Sequence, residues 1–322
     1  MPDNQKNESP IKVGISSCLL GMTVRYDSGH KRDRYSTDVL SEYFQFVNVC
    51  PEVEVGMGVP REAVRLVGTA EDTRMVGGKT GKDWTKKVVA FNAKRARELE
   101  KENLSGYILK KDSPSCGMER VKVYNEKGYA EKNAVGMWPR ALKKQFPLLP
   151  MEEEGRLNDH RLRENFIVRV FAYHRLQNLF NNRYSRGKMV KFHTAHKLLL
   201  MAHSPKHYKE LGKLVADVKK YSPSQMREKY SAVFMEGIEY KTTTKKNVNV
   251  LYHILGYLKK VLSPSEKQDI LQVIKDYHNE ITPLVVPLTL LRHYVTIHDI
   301  DYIEDQIYLT PHPKELMLRN HV

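Results

Sequence analysis

The chain has 322 residues, 41% of them hydrophobic and 28% charged, with 53 Lys and Arg against 38 Asp and Glu for a formal net charge of +15. It is too long for one ordinary core and carries enough apolar material for two, which excludes a wholly disordered chain and predicts two globular domains. Three cysteines, an odd number without a CxxC pair, argue against a disulfide framework and predict a protein of the reducing cytoplasm.

Residues 1–10, MPDNQKNESP, read as a frayed leader without a charged-then-apolar export signal. Short β-like runs then alternate with helical stretches: KVGIS, TDVLSEYFQ, FVNVC, AVRLVG, a charged amphipathic segment from Asp83 to Glu102, and GYILK. Such alternation marks βαβ units and predicts an α/β, Rossmann-like domain over residues 10–152, with a mostly parallel sheet covered by helices. Cys18 follows the first run, Cys50 ends FVNVC, and Cys116 comes shortly after GYILK in SPSCG. Ligands of open α/β sheets bind beyond the carboxyl ends of the strands. Three thiols distant in sequence are therefore expected to meet at one edge of one sheet. The stretch GGKTGKD evokes a phosphate loop, but Asp83 after Lys82 breaks G-x-x-x-x-G-K-[ST]. It reads instead as a mobile loop near the thiols that closes over a substrate.

Around FPLLPMEEEGRLND the β-like alternation stops, and residues 153–322 are predicted to form an all-α domain. Its first helix starts at Asn158 or Asp159, with an apolar stripe of Phe166, Ile167, Val170 and Phe171. A second spans Lys206 to Lys220, and SPSEKQDILQVIKDY opens on Ser263 as N-cap with Glu266 completing a capping box. The most apolar late stretch, ITPLVVPLTLL, is short and broken by Pro283 and Pro287, so no membrane span is predicted. His193 and His196 stand one helical turn apart, and His203 and His207 four apart across Pro205. Their functional reading is a metal site, or a phosphate patch with Lys197, Lys206 and Lys209. The preferred reading is structural, with the histidines bonding a helix–turn–helix junction that has Ser204 as N-cap and Pro205 at the first helical position. No Cys, Asp or Glu joins the set.

Thiolates are soft ligands suited to zinc or iron–sulfur clusters. A cubane normally takes four of them, so three leave one iron open to a substrate atom. His30, the one histidine of the first half, is a candidate fourth ligand for zinc, but beside KRDR it reads as a solvated loop residue. The alternative to any ligand set is three small buried hydrophobes, against which the shared strand-end context weighs.

GISSCLLGMTVRYDSG, VCPEVEVGMGVPRE, GKDWT and SPSCG, in this order over residues 10–148, resemble the TudS-type thiouracil desulfidase family. The resemblance implies a [4Fe-4S] cluster held by Cys18, Cys50 and Cys116, a thiopyrimidine substrate, and replacement of C=S by C=O without net redox change, releasing hydrogen sulfide. It marks Glu52 as the base for the attacking water and Ser113 as a hydroxyl beside the substrate, while Asp27 in RYD is the competing base. Their plain structural readings are a surface carboxylate, a turn former before Pro114 and a cap. EVEVGMGVPREAV departs from the Gly-Gly-Leu-Pro run of simpler members. ENFIVRVFAYHRLQ, FHTAHKLLLMAHSPKHYKELG and YLTPHPKELMLRNHV resemble the YbgA-type helical domain family, found alone or fused behind such desulfidase domains.

Two other functions stand beside the leading one. In the first, the same chemistry adds or removes sulfur on transfer-RNA bases, with the basic helical domain contacting RNA. In the second, the protein binds nucleic acid and its cysteines are structural. Because the positive excess spreads over both halves, a solvated basic surface is preferred to a dedicated nucleic-acid site.

Overall fold

A computed structural model describes residues 10–321, and the leader at residues 1–9 lies outside the described residues. The chain divides into two compact units after Asn158.

In the first unit the strands are β1 (Lys12–Ser16), β2 (Gln45–Val49), β3 (Val64–Gly68), β4 (Thr73–Gly77), β5 (Gly106–Leu109), β6 (Val121–Tyr124), β7 (Ala130–Ala134) and β8 (Met151–Glu153). Its α-helices are α1 (Pro51–Glu54), α2 (Thr85–Glu98) and α3 (Met137–Gln145). One sheet, in the order β2-β1-β5-β8, is wholly parallel. Val13 and Ile15 of β1 and the whole of β5 are buried, as strands covered on both faces require.

Gly14 in β1 sits against the Tyr107 ring of β5, where a Cβ would lie 2.2 Å from Cδ2. Gly14→Ala is expected to destabilise this unit by about 1–3 kcal/mol through overpacking, read as a lowered thermal midpoint. An unchanged melt would contradict the tight approach.

A second, mixed sheet, in the order β4-β3-β6-β7, pairs β3 with β4 and β6 with β7 antiparallel, and β3 with β6 parallel. Its core packs Leu66, Met75, Val121 and Val123 against Val88 of α2 and Met137 of α3. Two sequence expectations are refined here. AVRLVG belongs to this second sheet because the short turn after Gly68, at φ +113°, lets β3 pair at once with β4. TDVLSEYFQ forms only short helical turns, Tyr35–Val39 and Leu40–Glu42.

The second unit is all-helical: α4 (His160–Asn181), α5 (Arg186–His203), α6 (Pro205–Ala216), α7 (Pro223–Glu239), α8 (Thr244–Leu258), α9 (Pro264–His278), α10 (Val285–Ile297) and α11 (Asp301–Glu304). Asp159 caps α4, accepting from the Leu162 N–H at 2.9 Å. Ser263 and Glu266 form the capping box of α9. A continuous core runs from Val168 through Leu199, Leu251, Ile274 and Leu291 to Tyr308. Among the described residues, no helix is long and apolar enough to cross a membrane.

Candidate active site

Parallel strands deliver their carboxyl ends to one edge, and β2, β1 and β5 are neighbours. Cys18 lies in the turn leaving β1, Cys50 leaves β2 as the N-cap residue of α1, and Cys116 follows β5 in the SPSCG turn. All three line one cavity of about 270 Å³, together with Tyr26, Glu52, Arg61 and Ser113. Cys116 is buried, and Cys18 and Cys50 are half-buried. Burial pushes the Cys18 thiol up to about 11, with Cys50 adding to the rise. Burial raises Cys50 as well, and lifts Cys116 well above the ordinary thiol range with Cys18 and Cys50 contributing. Burial is the main cause of each rise, and for Cys18 and Cys116 the neighbouring thiols add to it.

The SPSCG turn is closed from within and from α3. The Ser113 hydroxyl accepts from the backbone N–H of Ser115 (3.3 Å) and of Cys116 (3.1 Å). The Gly117 N–H bonds Ser113 O at 2.8 Å, and the Trp138 N–H bonds Ser115 O at 2.9 Å. A Cβ on Gly136 would lie 2.7 Å from Ser115 O and 2.9 Å from Gly117 O, so only glycine lets the chain pass beneath this turn. Trp138, fully buried, donates its indole N–H to Tyr107 Oη at 2.9 Å and anchors the arrangement to β5.

Glu52 in the first turn of α1 is held on both oxygens. Its Oε2 accepts from Arg61 Nη2 at 2.5 Å and Nε at 3.0 Å, and its Oε1 accepts from the Ser115 hydroxyl at 2.6 Å. Arg61 also donates from Nη1 to Val24 O (3.0 Å) and Gly58 O (2.9 Å). Arg61 and Ser115 both lie inside motifs legible in the sequence, yet nothing in residue type or spacing singles them out; an arginine nine residues from Glu52 has no fixed partner until the turn between them is folded.

Asp27 stands apart from this cavity's lining. Its carboxylate accepts from the Gly29 N–H at 3.1 Å and pairs with Arg25 at 3.4 Å, and the Gly29 bond holds it below the usual carboxylate range. The structure thus gives it the capping role that its position in RYDSG allows. His30 is exposed and outside the lining, accepting from the Arg32 N–H at 3.2 Å. The GGKTGKD segment is likewise outside the lining. Glu62 accepts from the backbone N–H groups of Lys79 (2.8 Å) and Thr80 (3.0 Å), so donors that a phosphate would need are already occupied. Among the described residues, no group of three or more His, Cys, Asp or Glu side chains is placed to hold a single metal ion.

In the helical unit the four histidines go to separate partners. His193 Nδ1 meets Tyr230 Oη at 3.1 Å, His196 Nδ1 donates to Phe192 O at 2.8 Å, and His203 Nδ1 donates to Tyr240 O at 2.6 Å. His207 bonds the Ser204 hydroxyl at 2.7 Å through Nδ1 and pairs with Glu236 at 3.2 Å through Nε2. Ser204 is the N-cap residue of α6 and Pro205 its first helical residue, but the serine hydroxyl turns to His207 rather than to the backbone.

The first unit is thus a parallel sheet presenting three free thiols at its carboxyl edge, and an all-helical unit follows it in the chain. Residues 13–154 match the family model described as 2-thiouracil desulfurase, and residues 197–313 match that of a protein of unknown function, DUF1722. The chain is 34% identical over 108 residues to the uncharacterized protein YbbK of Bacillus subtilis (strain 168), spanning 32% of this chain and 71% of that protein. It is 27% identical over 165 residues to the uncharacterized protein YbgA of Escherichia coli (strain K12), spanning 51% of this chain and 98% of that protein. A solved structure, the [4Fe-4S]-dependent thiouracil desulfidase TudS, aligns with 25% identity and a TM-score of 0.38 over 46% of this chain and 93% of that one. The chain belongs to the 2-thiouracil desulfurase family, with a YbgA-like DUF1722 domain fused behind it.

Proposed function

We propose that the protein is a non-redox desulfidase that converts thiouracil-type bases to uracil and releases sulfide, using a [4Fe-4S] cluster held by Cys18, Cys50 and Cys116. The observation that carries this reading is the meeting of three thiols with a hydrogen-bonded carboxylate in one cavity. The donor set fits such a cluster. Thiolates are the ligand type that iron–sulfur clusters take, and all three thiols of the chain line this one cavity.

When bound, the cluster supplies an open Lewis-acid iron that polarises the thiocarbonyl sulfur. The chain's own residues handle the water and its protons. A carboxylate offers about four acceptor positions; Arg61 fills two on Oε2 and Ser115 fills one on Oε1, which leaves a single position, on Oε1, to hold a water and take its proton. The Ser113 hydroxyl accepts twice from its own turn, so its proton is free to be donated to a heteroatom of the base. Water supplies the oxygen that replaces sulfur, both of its protons leave with the sulfide, and no electrons are exchanged.

Anaerobic reconstitution with iron and sulfide, followed by iron counting and assay of sulfide and uracil from thiouracil, tests this directly. About four irons per chain and equal amounts of the two products are expected; an iron-free chain with full turnover would refute the reading. Glu52→Gln is expected to lower kcat by about 10²–10⁴-fold while iron content stays unchanged. In a second reading the thiolated base sits in transfer RNA, contacted by the helical domain. Turnover of thiolated transfer RNA far above that of free thiouracil would favour it.

A further inference from the structure

We infer that Arg61 is the positioning residue of this site, locking the Glu52 carboxylate and the Val24–Tyr26 wall of the cavity into one rigid piece. The inference rests on Glu52 being the base. The Arg61 side chain is only 6% exposed and makes four hydrogen bonds: two to Glu52 Oε2, one to Val24 O and one to Gly58 O. Its backbone N–H adds a fifth contact, to Tyr26 O at 3.1 Å. Val24, Tyr26, Glu52 and Arg61 all line the cavity that holds the three thiols.

A buried ion pair adds little to stability compared with an apolar substitute, because desolvation offsets the attraction; what it supplies is a fixed geometry. Only the planar guanidinium fork can reach a carboxylate oxygen and two carbonyls from three different segments at once, which a lysine point charge cannot. By occupying Oε2, Arg61 confines the free acceptor position to Oε1, beside the Ser115 hydroxyl. The water is thereby given one place to sit, and the wall that carries Tyr26, 42% exposed at the cavity, is set relative to it.

The test uses the reconstituted full-length protein with Arg61→Ala, Arg61→Lys, Glu52→Gln and the Arg61→Ala/Glu52→Gln double variant. Arg61→Ala is expected to lower kcat by about 100-fold, the scale of a misplaced catalytic group, with iron per chain unchanged and with product uracil bound several-fold more weakly in equilibrium dialysis. Added guanidinium ion is expected to recover part of kcat, and Arg61→Lys to remain impaired. The double variant is expected to be no slower than Glu52→Gln alone, because a residue acting through another has nothing left to act on. The proposal is overturned if the two losses multiply, if Arg61→Ala stays within threefold of wild type, or if its loss tracks lost iron and guanidinium restores nothing. Full turnover by Glu52→Gln defeats the base assignment itself, a failure distinct from an Arg61 variant that is silent while Glu52→Gln is dead.

Discussion

Replacing Cys18, Cys50 or Cys116 singly by alanine is expected to abolish sulfide release and to strip iron from the reconstituted protein. With Cys18, Cys50 and Cys116 as the three proposed ligands in one cavity, each lost thiol leaves a second iron without its protein ligand. The fold should survive. Cys116 is buried but makes its contribution to packing as a small hydrophobe, and alanine removes only one sulfur's worth of contact, about 1 kcal/mol. Far-UV circular dichroism and thermal melts of the apo variants therefore separate a missing ligand from a missing fold. A variant that keeps both its iron and its full turnover shows that the thiol concerned is not a ligand.

The second large effect is acid lability of the helical unit. Burial lowers His193 to about 4, His196 to about 3, His203 to about 4 and His312 to about 4. In the unfolded chain each titrates at ~6.5. Between those values the unfolded state binds the extra proton, so stability is fully present above about pH 6.5 and is lost as pH falls toward 4. At about 1.4 kcal/mol for each pH step through that window, each histidine carries roughly 3 kcal/mol of penalty by pH 4, and the four together are of the order of a domain's whole stability. The helical unit is expected to unfold on acidification well before its carboxylates are fully protonated.

His196 offers the clearest variant. Its ring stacks on Phe192 at 4.0 Å and meets the Phe234 ring edge-on at 5.4 Å, and its Nε2 is buried without a partner. His196→Phe fits the same aromatic slot and removes the titration, so stability at pH 5 should rise by about 2 kcal/mol relative to wild type, with little change at pH 8. Urea melts at the two pH values measure this. An equal change at both would show packing, not protonation, to be the cause.

Local signals carried much of the architecture. Ser263 and Glu266, Asp159, and the Ser204-Pro205 pair mark helix starts because capping is a matter of residues three apart, and KVGIS, FVNVC and GYILK read as strands because each is a short run rich in β-formers, although β2, at the sheet edge, is only partly buried. Pairing was less legible. AVRLVG looks like a fourth parallel strand, and only the hairpin to β4 and the ladder to β6 place it in another sheet. The role of Asp27 was equally open in the sequence, since a carboxylate in a turn serves as cap or as base, and its bond to the Gly29 N–H is decided by the fold.

What the sequence determined by itself is the chemistry on offer: three thiols each following a strand, a carboxylate two residues after one of them, and a serine three residues before another. Those are short-range facts, fixed by covalent spacing. The tertiary structure alone decided that β2, β1 and β5 lie side by side, which brings residues 18, 50 and 116 to one cavity, and that Arg61 and Ser115 close on opposite oxygens of Glu52. Strand order and the reach of a buried guanidinium depend on how distant segments pack, and no spacing along the chain encodes that directly.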